Sequence, residues 1–293
     1  MHHQEAIRRG RSRPAPVGCR DTRLGGMSQE VGVNTASIDP TARVDCTASI
    51  AGNVRIGAYA VIGPQVSIGP GSVIGPHCVL EGPLEIGADN RLGAHVVLGT
   101  EPQDLGYRGE PTRLVIGNGN QFREFVTIHR ASTKQDFETR IGDHNLLMAY
   151  CHVGHDCRLG NHNVIANGTM LGGHVEIGNH VTIGGLCAVH QFGRVGDHAM
   201  LGGGTMAPMD IPPFCMASGN HARLLGLNRR GLLRAGFSAE VLVALKRAYK
   251  LLFRSPLLRA AAIQHIRDEP ALRCDAVDSL LAFLESSKRG VSR

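Results

Sequence analysis

An aliphatic residue occupies every sixth position of the chain between residues 140 and 207. A period of six matches neither the turn of an α-helix nor the two-residue alternation of an ordinary strand. It is typical of a parallel β-helix, in which each six-residue repeat forms one short strand and one turn. The repeating residues are Ile141, Leu147, Val153, Leu159, Ile165, Leu171, Ile177, Ile183, Val189, Val195 and Leu201. The chain is therefore predicted to be mainly β, with hexapeptide repeats wound into a parallel β-helix.

The same period begins earlier, at Ile38, and is interrupted twice. Residues 100–113, which we call the first excursion, lack the composition of the repeats. The period nevertheless resumes in phase, because Ile116 lies 18 residues after Leu98. Residues 131–139, the second excursion, shift the phase by one position. Loops as long as the first excursion, without secondary structure of their own, are commonly functional. We therefore expect the first excursion to contribute to function.

Three repeats close one triangular coil, so residues 18 apart should stack on one another in neighbouring coils. His155, Gly173 and Gln191 share this 18-residue register. The same side of the same three coils also carries His152, Asp156, His174 and His190. The spacing therefore predicts that an imidazole, a glycine backbone and an amide lie in one column.

These residue types suit acid–base chemistry on an acyl group. An imidazole titrates near neutral pH and can act as a general base, and the carboxylate of Asp156 could fix the tautomer of His155. Gly173, one coil away, would let a backbone N–H approach a substrate without a Cβ in the way, and such an N–H can stabilise an oxyanion. One histidine in a turn is usually an ordinary surface residue, but this clustering favours a catalytic site.

A second histidine column has a simpler interpretation. Residues His144, His162, His180 and His198 recur every 18 positions in turns that read Gly-Asp-His or Gly-Asn-His. A metal site is one hypothesis, but a ladder along one edge gives a line of ligands rather than a tetrahedral cage. We expect these residues to be turn residues.

Cysteine usage and hydropathy indicate a cytoplasmic protein without a membrane span. The chain has eight Cys and no Cys-x-x-Cys pair. Four of them follow a core aliphatic residue by four positions, an inward slot: Cys78, Cys151, Cys157 and Cys187. We expect reduced thiols that serve packing rather than a thiol nucleophile. No run of 18 or more apolar residues is present, so no transmembrane segment is predicted.

The chain divides into three predicted regions. Residues 1–32 are expected to form a disordered N-terminal extension that lacks the apolar segment of a secretory signal, with Met27 as an alternative start. Residues 33–221 form the β-helix, and apolar residues at helical spacing predict a C-terminal α-helical domain over 222–293. This last region has 14 basic and 6 acidic residues, a net charge of +8, and should attract an acidic partner.

Several short strings in the chain closely resemble those of the bacterial UDP-N-acetylglucosamine O-acyltransferase family of lipid A biosynthesis. The resemblance covers about residues 33–290. The strings are GEPTR (109–113), TIHR (127–130), DHNLLM (143–148), HVGHDC (152–157), AVHQF (188–192), SGNHA (218–222) and NRRGLLRAGFS (228–238). Simple hexapeptide acetyltransferases share the repeat but not these strings.

The resemblance implies a left-handed parallel β-helix and a homotrimer with active sites in the clefts between subunits. It implies transfer of an (R)-3-hydroxyacyl group from acyl carrier protein to the 3-hydroxyl of UDP-N-acetylglucosamine. In this pattern His155 matches the general base, Asp156 its orienting partner, and Gly173 the oxyanion donor. We expect no cofactor, no metal ion and no nucleic-acid partner.

The resemblance also implies a set of substrate-binding residues. Those around the sugar and the acyl chain are Asp104, His152, His174, His190 and Gln191. Asn228 and Arg234 match positions near the nucleotide. Gly203 matches a position where bulkier residues shorten the accepted chain, and with His221 it indicates a longer acyl chain here.

The chain departs from the pattern at three positions, and three other functions stay open. Gly106 stands where many relatives have Lys, Arg230 where an acid is common, and Ala235 in place of a basic residue, so phosphate contacts are expected to be rearranged.

Transfer to a 3-amino sugar nucleotide is one alternative. The related N-acyltransferase has an N-terminal uridine-binding domain, for which the residues before Ile38 leave no room. A trimeric zinc protein of the carbonic-anhydrase type and a non-catalytic scaffold are the others.

Overall fold

The structure is a computed structural model that describes residues 35–293. The N-terminal extension predicted over residues 1–32 lies outside the described residues. The first half of the β-region contains the strands β1 (Ser37–Ile38), β2 (Arg43–Val44), β3 (Ser49–Ile50), β4 (Arg55–Ile56), β5 (Val61–Ile62), β6 (Val66–Ile68), β7 (Val73–Ile74), β8 (Val79–Leu80), β9 (Leu84–Ile86), β10 (Arg91–Leu92), β11 (Val97–Thr100), β12 (Arg113–Ile116), β13 (Gln121–Phe122) and β14 (Thr127–His129). The second half contains β15 (Glu138–Ile141), β16 (Leu146–Leu147), β17 (His152–Val153), β18 (Arg158–Leu159), β19 (Val164–Ile165), β20 (Met170–Leu171), β21 (Glu176–Ile177), β22 (Thr182–Ile183), β23 (Ala188–Val189), β24 (Arg194–Val195), β25 (Met200–Leu201), β26 (Met206–Ala207), β27 (Cys215–Ser218) and β28 (Arg223–Leu227).

The strands from β1 to β26 form three parallel sheets, and every third strand of this run joins the same sheet. Sheet A runs from β1 through β25 to β27 and β28, sheet B from β2 to β26, and sheet C from β3 to β24. In sheet B, Val153 pairs with Leu171 and Leu171 with Val189, which confirms the predicted stacking from one coil to the next. The repeat therefore winds into a three-sided β-helix.

The interior of the β-helix is filled by the predicted aliphatic residues, which are almost completely buried. Burial of these side chains is the main favourable contribution to folding in a solenoid whose coils contact only their neighbours. The predicted cysteine thiols share this interior, and burial raises the pKa of Cys78 to about 11 and that of Cys157 to about 12. Every cysteine within residues 35–293 is a free thiol. The Cys78 and Cys157 thiols are therefore protonated at neutral pH, as expected for packing residues.

The predicted histidine ladder is a stack of turn residues. Neighbouring rings from His144 to His198 are nearly parallel, with centroids 4.8 to 5.1 Å apart. All four residues have φ between 56° and 57°, the left-handed region in which His is more common than most residues. Within residues 35–293, the ladder is not among the side-chain groups close enough to share a metal ion. The prediction that these are turn residues is confirmed.

The two excursions lengthen the chain between neighbouring coils but preserve the stacking. Across the first excursion Ile116 pairs with Ile86, and across the second Val153 pairs with Ile128. In both pairs the partners lie farther apart in the chain than the stacked residues of a regular coil. The inserted residues therefore leave the coil and return to it, so that the strands on either side remain in contact. Both excursions leave the coil between a strand of sheet B and a strand of sheet C, which is also the corner where His155 lies.

The helical region begins later than predicted. Strand β28 pairs antiparallel with β27, so sheet A continues to Leu227, past the predicted boundary between residues 221 and 222. The helices are α1 (Arg229–Arg234), α2 (Ala239–Phe253), α3 (Arg259–Asp268) and α4 (Asp275–Ser286), with a 3₁₀ turn over Pro270–Leu272. Leu245, Ile266 and Leu280 belong to their shared apolar core. Among residues 35–293, none of the helices has the length and apolar character needed to cross a bilayer.

Candidate active site

His155 and Asp156 form a hydrogen-bonded pair in the turn that follows strand β17. His155 Nδ1 lies 2.7 Å from Asp156 Oδ2, and the Asp156 side chain is only 1% exposed, against 16% for His155. The buried carboxylate accepts the proton on Nδ1, which leaves the lone pair on Nε2 directed away from Asp156. The pair therefore has the arrangement of a general base and the group that orients it.

Ser132, in the second excursion, holds the Asp156 carboxylate. Its backbone N–H and its hydroxyl both donate to Asp156 Oδ2, at 3.0 and 2.7 Å. Thr139, at the end of the same excursion, accepts the backbone N–H of Asp156 at 2.8 Å. Burial alone raises the pKa of Asp156, but the hydrogen bonds from His155 and Ser132 outweigh burial and lower that pKa below its ordinary value. Asp156 is therefore ionised at neutral pH.

Gly173 lies against the His155 ring, one coil further along. A Cβ at residue 173 would stand 2.7 Å from both Cε1 and Nε2 of His155, closer than real Cβ atoms approach a neighbour. Only glycine lets the backbone approach the imidazole to this extent. No acceptor within residues 35–293 takes the Gly173 N–H. The structure therefore brings a free backbone donor beside Nε2, as the register predicted.

A pocket of about 390 Å³ lies over these groups, within the size range of small-molecule sites. It brings together five of the predicted site residues, and the excursion residue Gln103 and the strand residues His129 and Met170 complete much of its wall. The predicted residues in it are His152, His155, Gly173, His190 and Gln191. Asp156 lies beneath His155, so the predicted column exists in the folded chain.

Two further imidazoles in the pocket wall are kept neutral. Burial, together with the neighbouring His152 and His155, lowers the pKa of His129 to about 4. Burial likewise lowers the pKa of His152, whose Nδ1 lies 2.8 Å from the hydroxyl of Thr127. Neutral imidazoles can exchange hydrogen bonds with hydroxyl groups of a ligand without adding charge to the pocket.

His174 and Asp104 are joined to the site through the second excursion. His174 Nδ1 is 2.9 Å from Oε1 of Gln135, and burial lowers the pKa of His174. The carboxylate of Asp104, in the first excursion, lies 2.6 Å from Nζ of Lys134. The Lys134 ammonium lowers the pKa of Asp104, most strongly through this hydrogen bond. The second excursion thus contacts three predicted site residues.

Of the seven predicted residues that do not line this pocket, Asp156, Asp104 and His174 are bonded to the second excursion, and the other four lie elsewhere. Gly203 and His221 are exposed, Gly203 at a different corner of the prism and His221 between β27 and β28. Arg234 is exposed in the last turn of α1. The amide of Asn228 is engaged within the chain, because it accepts from the Gly231 N–H and donates to the His198 carbonyl. Asn228 therefore caps α1 and ties it to the β-helix.

Sequence reasoning missed the residues that support the site. Ser132, Lys134 and Gln135 were not singled out, because they belong to the second excursion, where the hexad count gives no register. His129 ends strand β14, which stacks on β17 across that same excursion, so the regular count did not place His129 in the predicted column. The TIHR string was the available signal for His129. For Ser132 the only signal was the position of the excursion itself.

The same centre has the donor composition of a possible metal site. His155, Asp156 and His174 offer ligand atoms that all lie within 4.8 Å of one another, and they are the one such group among residues 35–293. However, Asp156 Oδ2 already accepts from Ser132 and His155. The Asp156 Oδ1 atom is buried and has no hydrogen-bond partner among residues 35–293, so the Oδ2 contacts describe a hydrogen-bonded dyad while one carboxylate oxygen stays available.

Two families have sequence models that match the chain. A model described as bacterial transferase hexapeptide (six repeats) matches residues 47–82, 65–100 and 138–173. A model described as UDP N-acetylglucosamine O-acyltransferase, domain 2, matches residues 210–292. One family thus describes the repeats, and the other describes the helical end.

Individual proteins named acyl-(acyl-carrier-protein)–UDP-N-acetylglucosamine O-acyltransferase are similar over most of the chain. The protein of Trichlorobacter lovleyi is 55% identical over 208 residues, which cover 70% of this chain and 79% of that protein. The protein of Syntrophobacter fumaroxidans is 49% identical over 218 residues, which cover 74% of this chain and 84% of that protein.

Solved structures agree with these relatives. LpxA from Acinetobacter baumannii superposes with a TM-score of 0.85 at 42% identity, over 87% of this chain and 99% of that one. The UDP-N-acetylglucosamine acyltransferase of Francisella novicida gives a TM-score of 0.85 at 34% identity, over 87% and 94%. The predicted fold, a left-handed parallel β-helix with a C-terminal α-helical domain, is the fold of the chain.

Proposed function

The chain belongs to the family of acyl-(acyl-carrier-protein)–UDP-N-acetylglucosamine O-acyltransferases, and from this premise we propose how its own residues perform that reaction. The enzyme moves an (R)-3-hydroxyacyl group from acyl carrier protein to the 3-hydroxyl of UDP-N-acetylglucosamine, the first step of lipid A biosynthesis. The observation that supports the assignment of roles is the contact between the His155–Asp156 pair and the Gly173 backbone. These three residues form the catalytic centre.

The reaction is a direct acyl transfer. Nε2 of His155 removes the proton of the sugar 3-hydroxyl while that oxygen attacks the thioester carbonyl. The Gly173 N–H donates to the oxyanion of the tetrahedral intermediate. The intermediate collapses with cleavage of the carbon–sulfur bond, and the protonated His155 returns its proton to the leaving thiolate. Ionised Asp156 stabilises the imidazolium between the two proton transfers.

The remaining predicted residues bind the substrates. His152, His190 and Gln191 contact the sugar and the acyl chain from the pocket wall, and Asp104 and His174 contact them from the side of the second excursion. A Cβ at Gly203 would meet no atom closer than 3.5 Å, so this corner has room for a long acyl chain that extends toward His221.

The nucleotide is bound beside α1. Arg234 is exposed there and provides a positive charge for the diphosphate, and Asn228, whose amide fixes the start of α1, positions that helix.

The basic helical region, with its net charge of +8, attracts the acidic carrier protein. The enzyme acts in the cytoplasm.

The active unit is a homotrimer. The corner between sheets A and B carries a stack of partly exposed rings from Tyr59 to Tyr150, with neighbouring centroids 4.8 to 5.2 Å apart. Tyr59 and Tyr150 are each 59% exposed and Leu186 at the same corner is 70% exposed. An exposed strip that is rich in aromatic and aliphatic side chains usually contacts another protein. Light scattering of the purified protein should give three times the chain mass, and a monomer would contradict the proposal.

Product analysis and one substitution test the function. Mass spectrometry of reactions that contain UDP-N-acetylglucosamine and a panel of 3-hydroxyacyl carrier proteins should show an O-acylated sugar nucleotide. A parallel reaction with a 3-amino sugar nucleotide tests the N-acyl alternative, which the names of the relatives disfavour. His155→Ala should lower kcat by about 10²–10⁴ with the fold intact. Near-normal turnover in the folded variant would remove His155 from the role of base.

The cluster of His155, Asp156 and His174 gives a zinc-dependent hydrase a specific observation in its favour. The hydrase would need a bound zinc ion, whereas the acyl transfer proposed above needs none. Elemental analysis of the purified protein, together with acyl-transfer assays before and after chelation, separates them. Acyl transfer that is unchanged by chelation supports the transferase mechanism, whereas stoichiometric zinc and loss of activity on chelation support the alternative.

A further inference from the structure

Lys134 places a positive charge beside the catalytic centre that the mechanism above does not use. Its Nζ lies 2.6 Å from Oδ2 of Asp104, whose other oxygen accepts the Gly106 N–H at 2.8 Å. The Lys134 side chain is 58% exposed, whereas that of Asp104 is 10% exposed. The ammonium is therefore anchored on one side by Asp104 and open to solvent on the other.

The Lys134 ammonium lies next to Gly106. A Cβ at residue 106 would lie 3.7 Å from Nζ of Lys134 and 3.2 Å from Oδ1 of Asp104. The side chain of residue 106 would therefore point to the place that the Lys134 ammonium occupies. The two excursions meet here, because Gly106 and Asp104 belong to the first and Lys134 to the second.

The open side of Lys134 faces a second pocket of about 600 Å³, next to His174. Besides Lys134, three basic residues line this pocket, Arg194, Lys288 and Arg289, against the acids Glu176 and Asp210. Arg194 pairs with Glu176 at 3.2 Å. Among the described residues, no carboxylate pairs with Lys288. The pocket lining thus carries four basic residues against two acids, and Asp104, which pairs with Lys134, is not itself part of that lining.

A purely structural role for the Lys134–Asp104 pair explains little. An ion pair with one partner this exposed contributes little to stability. The pair also lies between two excursions rather than in the β-helix, so the packing of the coils does not depend on it. A lysine that is held close to a catalytic centre and open to a basic pocket is better placed to bind an anion.

We propose that the Lys134 ammonium binds a phosphate group of a substrate at the mouth of this second pocket, with Asp104 holding the ammonium in place beforehand. The inference rests on the proposed function, which offers two sources of phosphate. One is the diphosphate of the sugar nucleotide, and the other is the phosphodiester of the prosthetic arm that carries the acyl thioester. Lys134 is then a substrate-binding residue supplied by the second excursion.

Steady-state kinetics of Lys134→Gln test the proposal. We expect KM to rise about tenfold for the substrate whose phosphate contacts Lys134, with kcat changed by less than about threefold, because the contact is made equally in ground and transition states. A higher KM for UDP-N-acetylglucosamine identifies the nucleotide as the source, and a higher KM for the acyl carrier protein identifies the arm. Arg55→Gln removes one exposed positive charge on β4 and should change neither KM.

Two charge-preserving variants separate phosphate binding from loss of structure. Lys134→Arg, and Gly106→Lys in the Lys134→Gln background, each return a cation to the same place and should restore KM. Restoration by either variant supports the proposal. The proposal is overturned if neither KM rises, if only kcat falls, or if neither variant restores KM.

Equilibrium binding keeps this test independent of turnover. Calorimetric titration of UDP-N-acetylglucosamine and of acyl carrier protein into the wild type and Lys134→Gln gives a Kd for each substrate. An inactive wild type would overturn the proposed function alone, and the ratio of Kd values would still decide the role of Lys134. An active wild type with unchanged KM and Kd in the variant would overturn the role of Lys134 alone.

Discussion

In the regular coils from residue 141 to residue 207, paired strand residues lie 18 positions apart, whereas the second excursion, residues 131–139, follows no period. The coils provide the reacting groups, His155 and Gly173. The second excursion provides the groups that hold them, with Ser132 on Asp156, Gln135 on His174 and Lys134 on Asp104.

The difference follows from what each region can do. A coil fixes the backbone rigidly, so it can set the distance between an imidazole and an amide N–H to within a few tenths of an ångström. A regular coil cannot also supply the side chain that supports one of its own catalytic residues, because the neighbouring coils fill the space beside that residue. A segment that leaves the coil can return over the surface and reach the buried carboxylate from outside. The reacting groups thus come from the regular coils, and the side chains that hold them come from the second excursion.

Gly173→Ala should disturb the geometry that the coils set, and after His155→Ala it should cause the largest loss of activity. The added Cβ would stand 2.7 Å from Nε2 of His155, so the ring must move. Misplacement of a catalytic group by about 1 Å commonly costs about 10² in rate. We expect kcat to fall about 10²-fold, with little change in melting temperature.

The double variant Gly173→Ala, His155→Ala shows whether the loss acts through the ring. If Gly173→Ala works by displacing His155, the double variant should lose no more activity than His155→Ala alone. Losses that multiply would mean that Gly173 acts independently of the imidazole.

The pH dependence of stability should reveal the imidazoles that the coils bury. The pKa of His129 is lowered to about 4, and its Nδ1 is buried without a partner among the described residues. Between about pH 6.5 and 4 the unfolded chain therefore binds a proton that the folded chain does not, so stability falls as the pH falls through this window. This one group should cost about 2 kcal/mol between pH 7 and pH 5.

His129→Gln removes this titration and provides the measurement. The free energy of unfolding of the variant, from urea titrations at pH 7 and pH 5, should fall by about 2 kcal/mol less than that of the wild type over the same interval. Equal losses in the two proteins would show that His129 remains protonated in the folded chain or is not buried.

The coils could be predicted from the sequence because the repeat keeps a constant spacing of 18 residues between stacked positions. Once the same position of successive coils stacks, the places of His155, Gly173 and Gln191 follow from counting alone. Asn228 could also have been recognised as a helix cap, because asparagine before a helix commonly accepts from its first turn. The boundary after residue 221 was too early, because β28 pairs antiparallel and follows no hexad.

The support of the site could not be predicted in the same way. Nothing in residues 131–139 indicates that Ser132 reaches Asp156 or that Lys134 reaches Asp104, since both contacts depend on the path of a segment without a repeat. The partners also come from distant parts of the chain, since Asp156 lies 24 residues after Ser132 and Asp104 lies in the other excursion. Only the folded chain brings these side chains together.

Ser132→Ala tests the second excursion and should have the smallest of these effects. It removes the hydroxyl that donates to Asp156 at 2.7 Å and leaves the backbone donor in place. A hydrogen bond to a charged group contributes about 1.5–3 kcal/mol, and the remaining donor keeps part of it, so kcat should fall about tenfold. The pKa of Asp156 should rise, since the Ser132 hydroxyl helps to lower it, and the acidic limb of the kcat/KM profile should move to higher pH. Ser132→Thr keeps the hydroxyl and should retain activity, and Ser67→Ala, on β6 in a regular coil, is the control for loss of a hydroxyl elsewhere. A Ser132→Ala enzyme with normal kcat and an unmoved profile would show that the coil alone positions the Asp156 carboxylate.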